Sequence, residues 1–206
     1  MHDVDLGIEL ASEHKGRLTS YVTARNNVVY RDNSNGISIG GYGPPRGGSD
    51  HITIVNNTLW DNDTRNTGSG EFQIQYHATN NVFANNIVYA SAQGLLVHNY
   101  TASAGTIANT NLYFSPLGAS KSIWRWNNVR YVGFVAYRDG SKQDAQSVFA
   151  DPLFDSLATV PSLDIMTGSP AIGAGADLGT AIVGAVDFAG NPRMQNGAIT
   201  IGAYQQ

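Results

Sequence analysis

The 206 residues suffice for one domain with a buried core, and only 14% of them are charged, which argues against a disordered chain. Glycine is abundant, with 23 residues, and the composition disfavours long helices but suits short strands joined by tight turns. The net charge of −4 gives no reason to expect nucleic acid as a partner, and the absence of cysteine excludes disulfides and thiolate metal sites.

The chain begins directly on a strand-like segment, residues 1–10, which has the sequence MHDVDLGIEL. No basic stretch followed by an apolar stretch precedes it, and no apolar run approaches the length of a membrane span. We therefore expect no membrane span, and either a cytoplasmic protein or a chain that lacks its leader and upstream sequence. We favour the second alternative, because the first residues already read as the middle of a repeat. The first strand should leave an open edge, which upstream coils or pairing in a homodimer would satisfy.

An eight-residue pattern recurs further along the chain. It combines an apolar alternation, an Asn and a terminal aromatic residue, and it occurs at 23–30 (TARNNVVY), 53–60 (TIVNNTLW), 82–89 (VFANNIVY) and 106–113 (TIANTNLY). The shared Asn falls at Asn26, Asn56, Asn85 and Asn109, at intervals of 30, 29 and 24 residues. Self-similarity at such a period indicates a solenoid, whose units bury their apolar faces only by stacking.

A second series of short β-prone segments lies between the octets. It comprises 7–10, 36–39, 72–75, 94–97 and 123–126. Two or three strands in each repeat, with no helical period, predict an all-β solenoid, and a β-sandwich is the alternative. Asn at an equivalent place in each coil suits a left-handed turn, and its amide can hydrogen-bond along the stack.

The last third of the chain is rich in turn signals. The sequences DPLF, GSPA and GNPR separate short apolar pieces within residues 141–206. The open last coil of a solenoid exposes core and unpaired backbone, so we expect residues 141–206 to cover that end as part of the same domain.

The coil pattern of residues 1–126 resembles the right-handed parallel β-helix proteins of the pectate-lyase-like superfamily. The stretches at 150–154, 162–177, 187–193 and 201–205 are similar to the segment called choice-of-anchor Q, which commonly ends bacterial extracellular β-helix proteins. The resemblance implies a right-handed parallel β-helix of about five coils over residues 1–140. It also implies a secreted or cell-surface location and a polysaccharide partner.

Outward-facing side chains of the second series should form two columns on one face of the helix, because its apolar residues point inward. The first predicted column is Glu9, Ser38, Gln73, Leu96 and Arg125, and the second is Ala11, Gly40, Gln75, His98 and Asn127. Such amide, imidazole and aromatic groups suit a sugar-binding groove, although a solvated polar face is the alternative. The predicted substrate-binding residues are Ser38, Tyr42, Gln73, Gln75, His77 and His98.

Acidic residues cluster at the start of the chain. The carboxylates of Asp3, Asp5 and Glu9 alternate along it and would suit Ca²⁺, which prefers oxygen ligands. Residues 5–10 (DLGIEL) and 36–41 (GISIGG) are similar to the family nine pectate lyases, in which DDGWDL binds calcium and GFKLGG carries the catalytic lysine. Asp5 and Glu9 match two of these acids, but Ser38 stands where the base would be, which argues against that mechanism.

Three hypotheses follow for the function. The first is a uronan lyase that uses Ca²⁺ and no organic cofactor, with Lys15, Arg46 or Arg125 as the candidate base for β-elimination from an acidic polysaccharide. The second is a carbohydrate-binding or surface β-helix without catalysis. The third is a structural fragment, the C-terminal part of a larger polysaccharide lyase or hydrolase. No aspartate cluster supports an inverting glycosidase, and no His pairing supports zinc.

Overall fold

The computed structural model describes residues 1–101 and 105–206, and most of its strands stack in parallel, coil upon coil. The first coil contains β1 (Leu6–Ala11), β2 (Leu18–Ser20), β3 (Thr23–Arg25) and β4 (Val28–Tyr30). The second contains β5 (Asn35–Gly40), β6 (Gly48–Asp50), β7 (Thr53–Val55) and β8 (Thr58–Trp60). The third contains β9 (Phe72–Ile74), β10 (Ala78–Thr79), β11 (Val82–Ala84) and β12 (Ile87–Tyr89). The fourth contains β13 (Leu95–Asn99), β14 (Ile107–Asn109) and β15 (Leu112–Phe114).

The remaining elements extend or flank this stack. They are β16 (Ile123–Trp126), β17 (Val129–Val132), α1 (Phe134–Ser141), β18 (Val148–Phe149), β19 (Phe154–Ser156), β20 (Ser162–Ile165) and α2 (Thr180–Val183). β16 and β18 belong to an incomplete further coil, so the helix makes about four turns where about five coils were predicted. Neither helix in the described ranges has the length and hydropathy that a membrane crossing requires.

Four sheets form the faces of the coil. The front sheet has the order β1-β5-β9-β13-β16-β17, and the second sheet has the order β10-β6-β2. The third sheet, β14-β11-β7-β3, and the fourth, β18-β15-β12-β8-β4, contain the octets of the repeat. Every pair among β1 to β16 is parallel, which confirms the predicted parallel β-helix.

Apolar side chains from successive coils stack inside the helix. Ile37 and Ile39 of the front sheet are fully buried, and Phe72 stacks on Phe83 of the third sheet with ring centroids 4.1 Å apart. The three-residue strands place their middle residue inward, as Leu59 does. A coil therefore buries only a few side chains, and the core is continuous only because neighbouring coils share it.

The two Asn residues of each octet have different roles. The first lies in the left-handed conformation, with φ of 57° at Asn26, 54° at Asn56 and 56° at Asn85. In the fourth coil, Asn109 pairs with Ala84 inside the strand, and Thr110 takes the corner with φ of 56°. The prediction that Asn109 is equivalent to Asn26, Asn56 and Asn85 is therefore wrong by one residue. In the structure the fourth octet comprises residues 107–114, because Ile107 pairs with Val82, the first residue of the third octet.

The second Asn forms the hydrogen-bonded column along the stack. The side-chain oxygen of Asn57 accepts from the side-chain amide of Asn27 at 2.8 Å, and that of Asn86 accepts from Asn57 at 3.0 Å. The oxygen of Asn111 accepts from Asn86 at 3.2 Å. Asn57, Asn86 and Asn111 are fully buried, so this amide column satisfies polar groups that would otherwise be costly inside the protein.

The corner Asn side chains point outward and hold the C-terminal segment, residues 150–206. Asn26 donates to the Val186 carbonyl at 2.8 Å, Asn56 to that of Thr200 at 3.0 Å, and Asn85 to that of Ala176 at 2.8 Å. The segment also packs apolar side chains on the outer face of the fourth sheet. It thus lies along the side of the helix.

The open end of the last coil is covered by α1. Tyr137 stacks on Trp124 with ring centroids 5.1 Å apart, and Phe134 packs in the same cluster. Tyr137 also donates a hydrogen bond at 2.7 Å to the buried carboxyl of Asp144, which accepts from Asn111 at 3.0 Å and so ends the amide column. Residues 150–206 pack along the side of the helix, and the predicted capping role of residues 141–206 stays a prediction.

At the other end, residues 1–5 pair along the first coil. The carbonyl of Met1 accepts from the Tyr30 amide at 3.1 Å, and the Val4 amide donates to the Asp32 carboxyl at 3.1 Å. β1, β2 and β3 each stand at the edge of their sheet, as predicted for the first coil. Pairing of this edge in a homodimer stays a prediction.

Candidate functional site

The front sheet brings most of the predicted polar residues into one column. Glu9 pairs with Ser38, Ser38 with Gln73, Gln73 with His98, and His98 with Arg125. Successive coils therefore place a carboxylate, a hydroxyl, an amide, an imidazole and a guanidinium in register along one column of the front sheet.

Leu96 is not part of this column, and that prediction is wrong. A bulge between Leu95 and Val97 inserts one extra residue into β13, and the Leu96 side chain is fully buried in the core. His98 consequently moves from the second predicted column to the first. Tyr100, whose amide donates to the Ile74 carbonyl at 2.9 Å, takes the place next to Gln75.

Hydrogen bonds fix the side chains at the centre of the column. The Gln73 side-chain oxygen accepts from Asn35 at 3.1 Å and from Gln75 at 2.8 Å. Its nitrogen donates to the Tyr100 hydroxyl at 3.1 Å. Because Gln73 and Gln75 are nearly buried, this network holds Tyr100 in a defined orientation.

Ser38 differs from its neighbours because it is fully buried. Its hydroxyl has no hydrogen-bond partner among the described residues and lies out of contact with solvent. The structure thus does not offer Ser38 at the surface, where a substrate-binding role requires it.

Two cavities lie in the loops that follow the front sheet. The tyrosine cavity has a volume of about 310 Å³ and is lined by Tyr42, Gly43, Pro44, Gln75, Tyr76 and Tyr100. The cationic cavity, of about 420 Å³, is lined by Lys15, Gly16, Arg17, Leu18, Pro44, Arg46, Gly47 and His77. Pro44 lines both, so the two cavities adjoin.

Glycine allows the loops around the cationic cavity to pack closely. A Cβ atom at Gly47 would lie 2.3 Å from the Arg17 carbonyl oxygen and 2.6 Å from that of His14. His77 is tied to the same loops, since its Nε2 lies 2.9 Å from the Pro44 carbonyl oxygen. The loops of three successive coils are thereby held together.

The predicted catalytic bases are divided between two places. Lys15 and Arg46 line the cationic cavity, and the Arg46 Nε lies 3.6 Å from a carboxylate oxygen of Glu13. Arg125 lies instead on the front sheet next to His98. The structure thus brings Lys15 and Arg46 together with His77, but not with Arg125.

The three predicted calcium ligands have different surroundings. Asp3 lies 2.7 Å from His2 and 3.6 Å from Arg31, and the His2 hydrogen bond is the main reason why its pKa is lowered. Asp5 lies 3.7 Å from Arg65. Burial, with a smaller contribution from Glu13, raises the pKa of Glu9.

Within residues 1–101 and 105–206, no group of three or more His, Cys, Asp or Glu side chains is placed to hold a metal ion. The residues named for calcium therefore do not form a ready ligand set in the part of the chain that the structure describes. The calcium expectation stays a prediction.

Sequence reasoning missed three residues of the site: Arg17, Tyr76 and Tyr100. Tyr76 directly follows Gln75, so its place in the same loop was visible in the sequence. The position of Tyr100 could not be predicted, because the extra residue at Leu96 shifts the residues that follow it by one position relative to the neighbouring coils. Nothing in the sequence marks Arg17 as a site residue, apart from its position directly before β2.

The fold and the site define the class of protein as a parallel β-helix with a polar, aromatic and cationic groove in its loops. The chain is similar to the uncharacterized protein YwoF of Bacillus subtilis (strain 168), with 37% identity over 160 residues. The alignment covers 77% of this chain but 34% of YwoF, so the chain spans about a third of the length of that relative. No family model matches the sequence, and no solved structure matches it.

Proposed function

We propose that this protein binds an acidic polysaccharide, a uronan, across the adjoining tyrosine and cationic cavities. The observation that carries the proposal is that a cavity lined by three basic residues, Lys15, Arg17 and Arg46, adjoins a tyrosine-lined cavity at Pro44. The chain as a whole has a net charge of −4, so this basic cluster is a local feature. The resemblance to pectate-lyase-like β-helix proteins supports the same ligand class.

Each cavity suits one part of a uronan. Guanidinium and ammonium groups bind carboxylates through charge-assisted hydrogen bonds, and the apolar face of a sugar ring packs on aromatic rings. Tyr42 is 73% exposed, and Tyr76 and Tyr100 are roughly parallel with ring centroids 6.2 Å apart. We infer that a uronate carboxylate lies in the cationic cavity while a neighbouring sugar lies against the tyrosines.

Binding is tested with polygalacturonate and alginate in affinity gels and by calorimetry. Replacing Lys15 and Arg46 together with Gln should weaken binding about tenfold or more, since one charge-assisted hydrogen bond contributes about 1.5–3 kcal/mol. Lys121→Gln serves as the matched control, because Lys121 is exposed in another loop. Failure of the unmodified protein to bind any uronan, or unchanged binding by the double variant, would refute the proposal.

A uronan lyase is the second candidate function. It is favoured by the presence of Lys15, Arg46 and His77 in one cavity, where cations could offset the uronate charge while a base removes the α-proton. β-Elimination creates an unsaturated uronate, which is followed by its absorbance. Assays with added calcium and with a chelator test the calcium expectation separately, and a purely binding protein would show no absorbance change on any uronan.

Secretion follows from the proposed ligand, since acidic polysaccharides lie outside the cell. We propose a secreted or cell-surface location on this ground. Fractionation of cells that express the full-length protein would test it, and recovery in the cytoplasm alone would contradict it.

A further inference from the structure

We infer that His98 and Tyr100 form an acid–base pair that acts on the C5 proton of a bound uronate. This inference rests on the proposed function and goes beyond it, because it names the reacting groups and places them beside the tyrosine cavity rather than among the basic residues of the cationic cavity. It is carried by the geometry of the two side chains and of the loop that holds them.

The tautomer of His98 is set by its surroundings. Its Nδ1 lies 2.7 Å from the carbonyl oxygen of Gly68, and a carbonyl can only accept, so Nδ1 carries the proton. The lone pair of the neutral ring is then on Nε2, for which no hydrogen-bond partner occurs among the described residues. Burial lowers the pKa of His98, which keeps the ring neutral and able to accept a proton.

The Gly68 carbonyl is itself held in place by Asp63. The carboxylate of Asp63 accepts hydrogen bonds from the amides of Thr67, Gly68, Ser69 and Gly70, at 2.6, 3.0, 3.0 and 3.1 Å. This arrangement fixes the loop whose Gly68 carbonyl meets the Nδ1 atom of His98. Asp63 is therefore a positioning residue, which acts on His98 through the Gly68 carbonyl.

Tyr100 supplies the acid. Its ring centroid lies 4.2 Å from that of His98, and it lines the tyrosine cavity. Its hydroxyl oxygen accepts from Gln73, so the phenolic proton is free to point toward a ligand. Burial raises the pKa of Tyr100, so the phenol stays protonated.

The step balances without a further reactant. The Nε2 lone pair of His98 takes the C5 proton, and the C5–H electron pair is held as the enolate of the uronate carboxylate, which can take a proton back at C5. When the enolate goes forward, that pair forms the C4–C5 double bond and the C4–O bond breaks. The leaving oxygen takes the phenolic proton of Tyr100, and the phenolate recovers a proton from the His98 imidazolium, directly or through water. Both residues return to their starting states.

His98→Asn is the sharpest test, because the Asn amide can still donate to the Gly68 carbonyl while the Nε2 base is lost. His51→Asn is the matched control, since His51 lies outside both cavities and its Nδ1 lies 2.6 Å from Asp50. Two rates are measured on a uronan in D₂O: formation of the unsaturated product and incorporation of deuterium at C5. We expect His98→Asn to lower both rates about 100-fold or more, with binding and melting temperature unchanged.

The outcomes separate the two proposals. If the unmodified protein binds no uronan, the proposed function and this inference both fail. If it binds but produces neither unsaturated product nor C5 deuterium, or if His98→Asn reacts as fast as His51→Asn, the inference fails and the binding function stands. Tyr100→Phe should slow elimination more than deuterium incorporation, and an equal rate of elimination would remove Tyr100 from the pair.

Discussion

Replacing Asn57 with Ala should strongly destabilise the helix, because Asn57 is a fully buried link of the amide column. Its side-chain oxygen accepts from the Asn27 amide N–H at 3.0 Å, and its nitrogen donates to the Ala24 carbonyl and the Asn86 oxygen, both at 3.0 Å. In the variant, the Asn86 oxygen keeps its hydrogen bond to the main-chain N–H of residue 57. The two main-chain groups that lose the Asn57 side chain as a partner are the Asn27 amide N–H and the Ala24 carbonyl. At about 1–3 kcal/mol for each buried group, we expect a loss of about 3–5 kcal/mol in the free energy of unfolding.

Such a loss is a large part of the roughly 5–15 kcal/mol by which native domains are stable. Urea unfolding followed by far-ultraviolet circular dichroism measures it, and Asn27→Ala is the matched control. Asn27 is the end of the column and half-buried, so the same change there should cost about 1 kcal/mol. If both variants lost equal stability, the column would contribute nothing beyond isolated hydrogen bonds, and the reasoning would be wrong.

Three further predictions follow from the structure. Burial raises the pKa of Glu71 well above its usual value, so the folded state favours the protonated form of this side chain. The free energy of unfolding should therefore fall as pH rises above about 4.5. Urea titrations at several pH values measure this slope, which the Glu71→Gln variant should flatten. Burial, and to a smaller extent Arg125, lowers the pKa of His98, while the hydrogen bond to Gly68 and the charge of Asp63 oppose this shift. The acidic limb of the pH profile of kcat/KM should therefore lie below pH 6.5. Tyr76→Ala should weaken uronan binding several-fold in calorimetry without lowering the melting temperature, and unchanged affinity would exclude a stacking role.

The stacking of coils could be predicted from the sequence because each coil needs the same residue types at its corner. A left-handed corner favours Asn, and a buried amide column needs Asn at the next position, so the pair recurs visibly at 26–27, 56–57 and 85–86. Where the corner residue is Thr110, the pattern loses its first Asn and the alignment slips by one. The bulge at Leu96 similarly has no local signal, because a buried Leu fits either face of the pattern.

The place of the C-terminal segment was beyond such reasoning. Arg193 is nearly fully buried and donates to the Asn26 side chain at 2.6 Å and to the Ala203 carbonyl at 2.7 Å, so it joins residues far apart in the chain. An isolated Arg in a turn-rich sequence normally indicates a solvated surface. Only the three-dimensional arrangement shows that it joins the segment to the corner of the first coil.

The fold and the candidate site use different parts of each coil, and this separation makes the functional proposals testable by mutation. The amide column and the C-terminal segment lie on the third and fourth sheets, whereas both cavities are formed by loops that follow the front sheet. Lys15, Arg46 and Tyr76 thus lie away from the amide column. Substitutions there should change binding while stability is preserved, so loss of binding together with loss of folding would contradict the separation itself.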